Sequence, residues 1–326
     1  MTRGDAPDGC PGHGVTLARG PARADLLTRG ATLSAFHLDG FDHSLTLGSP
    51  DPACYSGPLR YFGAIVGPIA NRIAKGIAPL DGSVLHLDTN EAGSALHGGP
   101  DGLSQQVWAI TKCRAESVTF GYHMPDGAGG LPGPIDFAVT YDIEEDGAFR
   151  IAVTARSATL TLCNPAFHGY WSLTGQGLAG HRLTIDADHY LPVDAALIPT
   201  GTVAPVAGTA YDLRQPTPLP ASVDLDTNFC LNGEGLREVA RLETDRLVMV
   251  VETDAPGLQV YDAARMDTAP AKGHHGAPYG AHSGIALEPQ FWPDAPNHPD
   301  FPPITLRPGA PFSQTSRFRF IRKETP

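Results

Sequence analysis

Long apolar runs are missing from this chain. Nowhere do about 18 apolar residues follow one another, as a membrane-spanning helix would need, and the opening MTRGDAPDGCPGHG lacks the apolar centre of a signal peptide. A cytoplasmic protein is expected, with residues 1–13 as a mobile tail. Positive charge is scarce as well: 23 Lys and Arg face 35 Asp and Glu, a formal net charge of -12. Nucleic acid needs a basic surface to displace its counterions, so that partner is excluded in favour of a neutral or cationic small molecule. Cysteine is sparse. Cys10, Cys54, Cys113, Cys163 and Cys230 are odd in number and far apart, with no CxxC pair, so they form neither a metal or redox motif nor a disulfide framework, and reduced thiols are expected. Helical periodicity sustained over three turns is absent too, and no Gly-rich P-loop with its lysine marks a phosphate site.

Glycine and proline are plentiful instead: 37 and 31 residues, spread without a repeat, suggest many turns and few helices. From 135 to 157, Phe137, Val139, Tyr141 and Ile143 alternate with polar residues, as do Phe149, Ile151, Val153 and Ala155. Asp146-Gly147 lies between the two runs, so the segment predicts a tight hairpin. Further strands are expected at 15–19, 31–38, 117–123, 182–187, 247–252, 257–263 and 315–322. The fold class is therefore all-β. At 326 residues the chain exceeds most single domains, but large β-sandwiches reach this size and no linker divides it, so residues 14–326 are expected to form one domain. The segment PAKGHHGAPYGAHSG reads as a long surface loop. His274, His275 and His282 in it lack the cysteines or HExxH helix that would complete a metal site, and are expected as exposed loop histidines.

Several polar residues keep odd company. NPAFHGYWSL sets His168 among apolar and aromatic residues, either as a core histidine tied to a carbonyl or as a working imidazole. GPIANRIAKG embeds Asn71 and Arg72 in an apolar segment, where an unpaired guanidinium is costly; an internal carboxylate or a polar ligand must answer it. ALHGG puts His97 before two glycines, which serve a close ligand approach or simply a turn. GIALEPQFW places Glu288 at the end of a short apolar strand, where partial desolvation raises a carboxylate's pKa toward the range of a general base.

Together these segments resemble the galactose mutarotase family, the aldose 1-epimerases, from about residue 14 to 320. The resemblance rests on YFGAIVGPIANRIAKG, LHGGPDGLSQQVW, NPAFHGYWSL, YLPVDAALIPTG, DTNFCL, PGLQVY and LEPQFWPDAPNHPDFPP, in that order and spacing. It implies a single-domain antiparallel β-sandwich of the supersandwich type, with a cleft for a monosaccharide and with neither metal nor organic cofactor. It further implies Glu288 as general base, His168 as general acid, and Asn71, Arg72, His97, Asp226 and Gln259 as contacts to the sugar, whose oxygens would then partner Arg72 and His97. Three positions depart from the family pattern: Pro68 stands for an arginine, Tyr170-Trp171-Ser172 for YFN, and Glu288-Pro289 for ET. They bear on which sugar fits. A monomer or homodimer is expected.

The implied chemistry suits these residue types. Exchanging anomers requires a base for the C1 hydroxyl proton and an acid for the ring oxygen. Carboxylate Glu288 and imidazolium His168 would serve the opening step, with the histidine fixed among Phe167, Tyr170 and Trp171. Two other classes compete with this reading. One is a carbohydrate-binding protein that has lost catalysis. The other is a glycoside hydrolase or lyase, which needs a second carboxylate about 5 to 9.5 Å from the first; Asp226 is the only candidate.

Overall fold

Alternation along the chain becomes antiparallel sheet in the computed structural model, which describes residues 13–220 and 223–323. The tail and Cys10 thus lie outside the described residues, His13 apart. Among the described residues there is no α-helix, only strands, turns and short 3-10 segments, and no helix is long and apolar enough to cross a membrane.

The hairpin at 135–157 is present as Ile135–Ile143 paired with Phe149–Ser157 along their full length, with the alternating apolar residues buried. Its turn is wider than a two-residue loop. Only Gly147 of the Asp-Gly pair is left-handed, at φ 79°, and the Glu144 amide donates to the Ala148 carbonyl at 2.9 Å. Asp146 turns the chain differently: its carboxylate accepts the Ala148 amide at 3.0 Å. The other expected strands appear as Gly14–Arg19, Thr32–Leu38, Ser117–Met124, Arg182–Ile185, Leu247–Thr253, Gly257–Tyr261 and Phe312–Arg322.

Two sheets dominate. The larger has nine strands in the order Thr217–Pro218, Arg182–Ile185, Arg237–Glu243, Leu247–Thr253, Phe312–Arg322, Phe149–Ser157, Ile135–Ile143, Ser117–Met124, Ala109–Cys113. The smaller has six: Tyr170–Trp171, Ile285–Gln290, Gly257–Tyr261, Asp226–Cys230, His189–Leu191, Ala204–Pro205. Alternation assigns the faces of the smaller sheet. Ile285, Leu287, Leu258, Val260 and Phe229 join the main core, and Glu288, Gln259 and Asp226, out of phase with them along their strands, turn to the opposite face.

Phe167 and Trp171 tie the two layers together. Their rings lie 5.8 and 4.9 Å from that of Phe318 on the larger sheet. Phe318 is fully buried, a burial that contributes roughly 1.5–3 kcal/mol.

Two expectations fail here. Cys54, Cys163 and Cys230 are free thiols, but Cys113 is disulfide-bonded; distance along the chain does not limit which cysteines meet in space. His274 and His275 are exposed as expected, whereas His282 is half-buried. Its Nδ1 sits 3.1 Å from the Asp262 carbonyl oxygen and 3.7 Å from Asp262 Oδ2. Asp224 lies nearby, within 4.8 Å ligand-atom spacing of that pair.

Candidate active site

The polar face of the smaller sheet presents Glu288, Gln259 and Asp226 side by side. Register does this: Gln259 is opposite Glu288, Asn228 is opposite Gln259, and Asp226 is opposite Tyr261. Gln259 Nε2 donates to Asp226 Oδ1 at 2.7 Å, a bond running diagonally between strands. Glu288 lies inside the Ile285–Gln290 strand, not at its end, and only 2% of its surface is exposed. It is more fully desolvated than the sequence suggests.

His168 reaches the same face from the strand Ala166–His168, which pairs with Ala64–Val66. Its Nε2 is 3.5 Å from Glu288 Oε1. The ring packs beside Tyr170, Tyr61 and His97, with centroids 5.0, 6.1 and 5.2 Å away. The expectation of Phe167 and Trp171 as its neighbours is incorrect: period-2 alternation sends both to the core side, and only Tyr170 shares the face of His168.

His97 and Asn71 clasp each other. The His97 amide donates to the Asn71 carbonyl at 3.0 Å, and the Asn71 amide donates to His97 Nδ1 at 3.1 Å. Nδ1 is therefore an acceptor, and the neutral ring carries its proton on Nε2. Both residues are left-handed, at φ 53° and 58°. Asn71 Oδ1 also accepts the Arg72 amide at 2.8 Å, so part of this side chain braces the loop. The two glycines after His97 serve the turn. A Cβ on Gly98 would stand 2.0 Å from the Gly67 carbonyl oxygen, and one on Gly99 2.6 Å from that of Asp88.

Arg72 does have an internal partner, contrary to the expectation that sugar oxygens alone would satisfy it. Nε donates to Glu91 Oε2 at 2.5 Å. A carboxylate nineteen positions away along the chain is invisible to a reading of local sequence.

These residues enclose a cavity of about 260 Å³ that contains all seven expected side chains, near the lower end of the roughly 300–1,000 Å³ typical of small-ligand sites. Tyr61, Glu91, Leu197, Tyr261 and Arg265 also line it. The sequence reading missed these as site residues. Tyr61, Leu197 and Tyr261 do fall inside quoted segments, but none carries a local mark of its orientation.

Burial sets the electrostatics. It raises Glu288 well above the ordinary carboxylate range, with Asp226 adding to the rise and Arg72 opposing it. It lowers His168 to about 4, and lowers His97 well below the usual imidazole value, helped by His168 and Arg72. Asp226 is raised by burial against the pull of Arg72 and Gln259. Burial thus favours a neutral pair, with one proton on Glu288 and a neutral His168, the reverse of the charged pair expected. Both arrangements hold one proton and differ only by its transfer between neighbouring atoms. Glu288 Oε2 and His168 Nδ1 are buried without hydrogen-bond partners among the described residues. His97, His168 and Glu288 also place ligand atoms within 4.8 Å of one another, as a metal site would.

Known proteins share this architecture. The family model described as aldose 1-epimerase matches residues 14–319. The galactose mutarotase of Homo sapiens is 39% identical over 313 residues, covering 91% of both chains, and the aldose 1-epimerase of Escherichia coli K12 is 33% identical over 340 residues, covering 97% of both. Among solved structures, an aldose epimerase homologue from C. elegans superimposes with a TM-score of 0.90 at 29% identity, covering 95% of this chain and 99% of the other. The galactose 1-epimerase of Lactobacillus acidophilus gives 0.84 at 28% identity, covering 95% of each.

Proposed function

This chain belongs to the aldose 1-epimerase family and interconverts the anomers of an aldose, and on that footing we propose that Glu288 and His168 carry its two proton transfers. The observation that carries the assignment is their 3.5 Å approach, both buried, in one cavity with hydrogen-bonding side chains around them. A free pyranose such as galactose or glucose is the substrate.

Opening begins with the C1 hydroxyl at Glu288 and the ring oxygen at His168. Glu288 takes the hydroxyl proton as the C1–O5 bond breaks, and His168 delivers its proton to O5. Atoms balance: the sugar loses one proton and gains one, and C1 becomes an aldehyde. The pair finishes with the proton on Glu288 and a neutral imidazole, the state that burial favours. Rotation about C1–C2 turns the other carbonyl face, and closure returns both protons.

Burial therefore supports the open-chain end of the reaction. Arg72 favours ionised Glu288 and so supports the closed end. A reversible catalyst gains from keeping these two protonation states close in energy. The Nε2–H of His97, the free atoms of Arg72, and the Asp226–Gln259 pair hold the sugar hydroxyls, so the ring is oriented while C1 reacts.

Polarimetry on freshly dissolved α-galactose and α-glucose tests the proposal. Wild-type protein should speed equilibration while leaving disaccharides and aryl glycosides intact, and Glu288→Gln should lose the acceleration. Unimpaired equilibration by that variant would dismiss Glu288 as the base.

A further inference from the structure

We propose that Glu91 is a positioning residue for sugar recognition, holding the Arg72 guanidinium by its Nε edge so that its outer nitrogens face the ligand. The inference rests on the site reading above, in which Arg72 contacts the sugar.

Three observations converge on it. Arg72 Nε donates to Glu91 Oε2 at 2.5 Å, and the arginine side chain is only 10% exposed while that of Glu91 is 40% exposed. Glu91 thus enters the cleft from its rim. The guanidinium is a rigid fork, so fixing Nε leaves the orientation of both outer nitrogens defined.

The backbone of Glu91 is itself held in place. It starts a two-residue turn in which its amide donates to Ser94 at 3.2 Å and the Ser94 amide donates back at 2.7 Å. Ala92 and Gly93 between them are both left-handed, at φ 44° and 87°, the geometry that closes tight hairpins. Next to it, the Asn90 side chain accepts the Leu96 amide at 2.7 Å and donates to the Leu96 carbonyl at 3.1 Å. Leu96 in turn lies opposite Arg72 in a short ladder. The turn, the ladder and the ion pair form one closed unit.

Arg72 also shares its cavity with two further carboxylates, Asp226 and Glu288. Its charge acts on both Asp226 and Glu288. Without Glu91, a guanidinium on a flexible stem would turn to those carboxylates and block the space the sugar must enter.

The test measures d-galactose binding directly by calorimetry, alongside kcat and KM, for Glu91→Ala, Glu91→Gln, Arg72→Ala and the Arg72→Ala/Glu91→Ala double variant. Glu91→Ala should weaken affinity and raise KM about tenfold or more, with kcat within about threefold. Glu91→Gln keeps an acceptor for Nε–H and should stay within about threefold of wild type in affinity. In the Arg72→Ala background, removing Glu91 should add less than a twofold loss, because both act through one interaction. Wild-type affinity in Glu91→Ala overturns the proposal. So does equal loss in the Ala and Gln variants, or a full loss from Glu91→Ala when Arg72 is already absent. Unchanged affinity in Arg72→Ala itself overturns the site reading along with it, which separates the two failures.

Discussion

His168 Nε2 and Glu288 Oε1 face each other at 3.5 Å on the wall of the cavity, the two residues being only 5% and 2% exposed. Such a pair is held by the fold at a cost. Each group is displaced from its ordinary pKa in the direction that removes its charge, and the displacement is measurable in both activity and stability.

Glu288→Gln keeps shape and hydrogen-bonding reach but removes the proton acceptor. Turnover should fall by about two to four orders of magnitude, with d-galactose affinity largely kept. Its stability should move the other way. Because the folded pKa of Glu288 is raised, its contribution to stability is full below the unfolded value near 4.5 and declines as pH rises toward the folded value. The variant escapes that decline, so its Tm should overtake wild type progressively above that pH. A Tm difference independent of pH would contradict the raised pKa.

His168→Asn and His97→Asn should separate the two histidines. Loss of His168 should lower kcat by a factor on the order of a hundred or more, since the ring oxygen loses its proton donor. Loss of His97 should act mainly on KM, because its Nε2–H is a binding contact present throughout the reaction. The lowered pKa of His168 adds a stability signature. Its contribution is full above the unfolded value of 6.5 and is lost as pH falls through about 4, so acid unfolding should be less steep in His168→Asn. Steady-state kinetics and acid melts together decide this.

The pH profile of kcat/KM should be bell-shaped and broad. Activity requires one proton on the pair: a second proton ends it on the acid side, and loss of the shared proton ends it on the basic side. With His168 depressed to about 4, the acid limb should lie well below that of a free imidazole. The basic limb should lie above the ordinary carboxylate range, as the raised Glu288 requires. A single acid limb near 6.5 would refute the pairing.

Gly98→Ala should destabilise the protein and weaken sugar binding. Its φ of 85° alone costs about 1–2 kcal/mol for an alanine, and the new Cβ would meet the Gly67 carbonyl at 2.0 Å. Gly82→Ala is the control, having φ 76° but nothing within 4 Å of its Cβ. Urea melts should show the greater loss for Gly98→Ala, and only that variant should disturb His97 and raise KM.

Period-2 patterning made much of the fold legible. The 135–157 hairpin could be read because one face is buried along both strands, and strands such as Gly14–Arg19 and Phe312–Arg322 alternate likewise, whereas Thr32–Leu38, Leu247–Thr253 and Gly257–Tyr261 are buried on both faces and show instead as short apolar runs. Short strands such as Ala64–Val66 and Tyr170–Trp171 are too brief to show a period. The seven expected site residues share one cavity, and family resemblance was the guide that joined segments so far apart. What local sequence could not give was direction and pairing. His168 and Tyr170 share a face while Phe167 and Trp171 turn away, and Glu91 meets Arg72 through a turn whose glutamate looks like any exposed acid. Nor does sequence report the depth of Glu288 or the resulting reversal of charge with His168.

The place of Phe312–Arg322 bears on how the molecule is made. This strand enters late in the chain yet stands fifth of nine in the larger sheet, between Leu247–Thr253 and Phe149–Ser157. Until the ribosome has released it, the two halves of that sheet have unpaired inner edges facing one another, and Trp171 lacks the Phe318 ring it packs on. Closure of the sheet must therefore follow synthesis of nearly the whole described chain. The nascent protein passes through a stage with two open, apolar-lined edges, and that interval is when it most needs protection from aggregation.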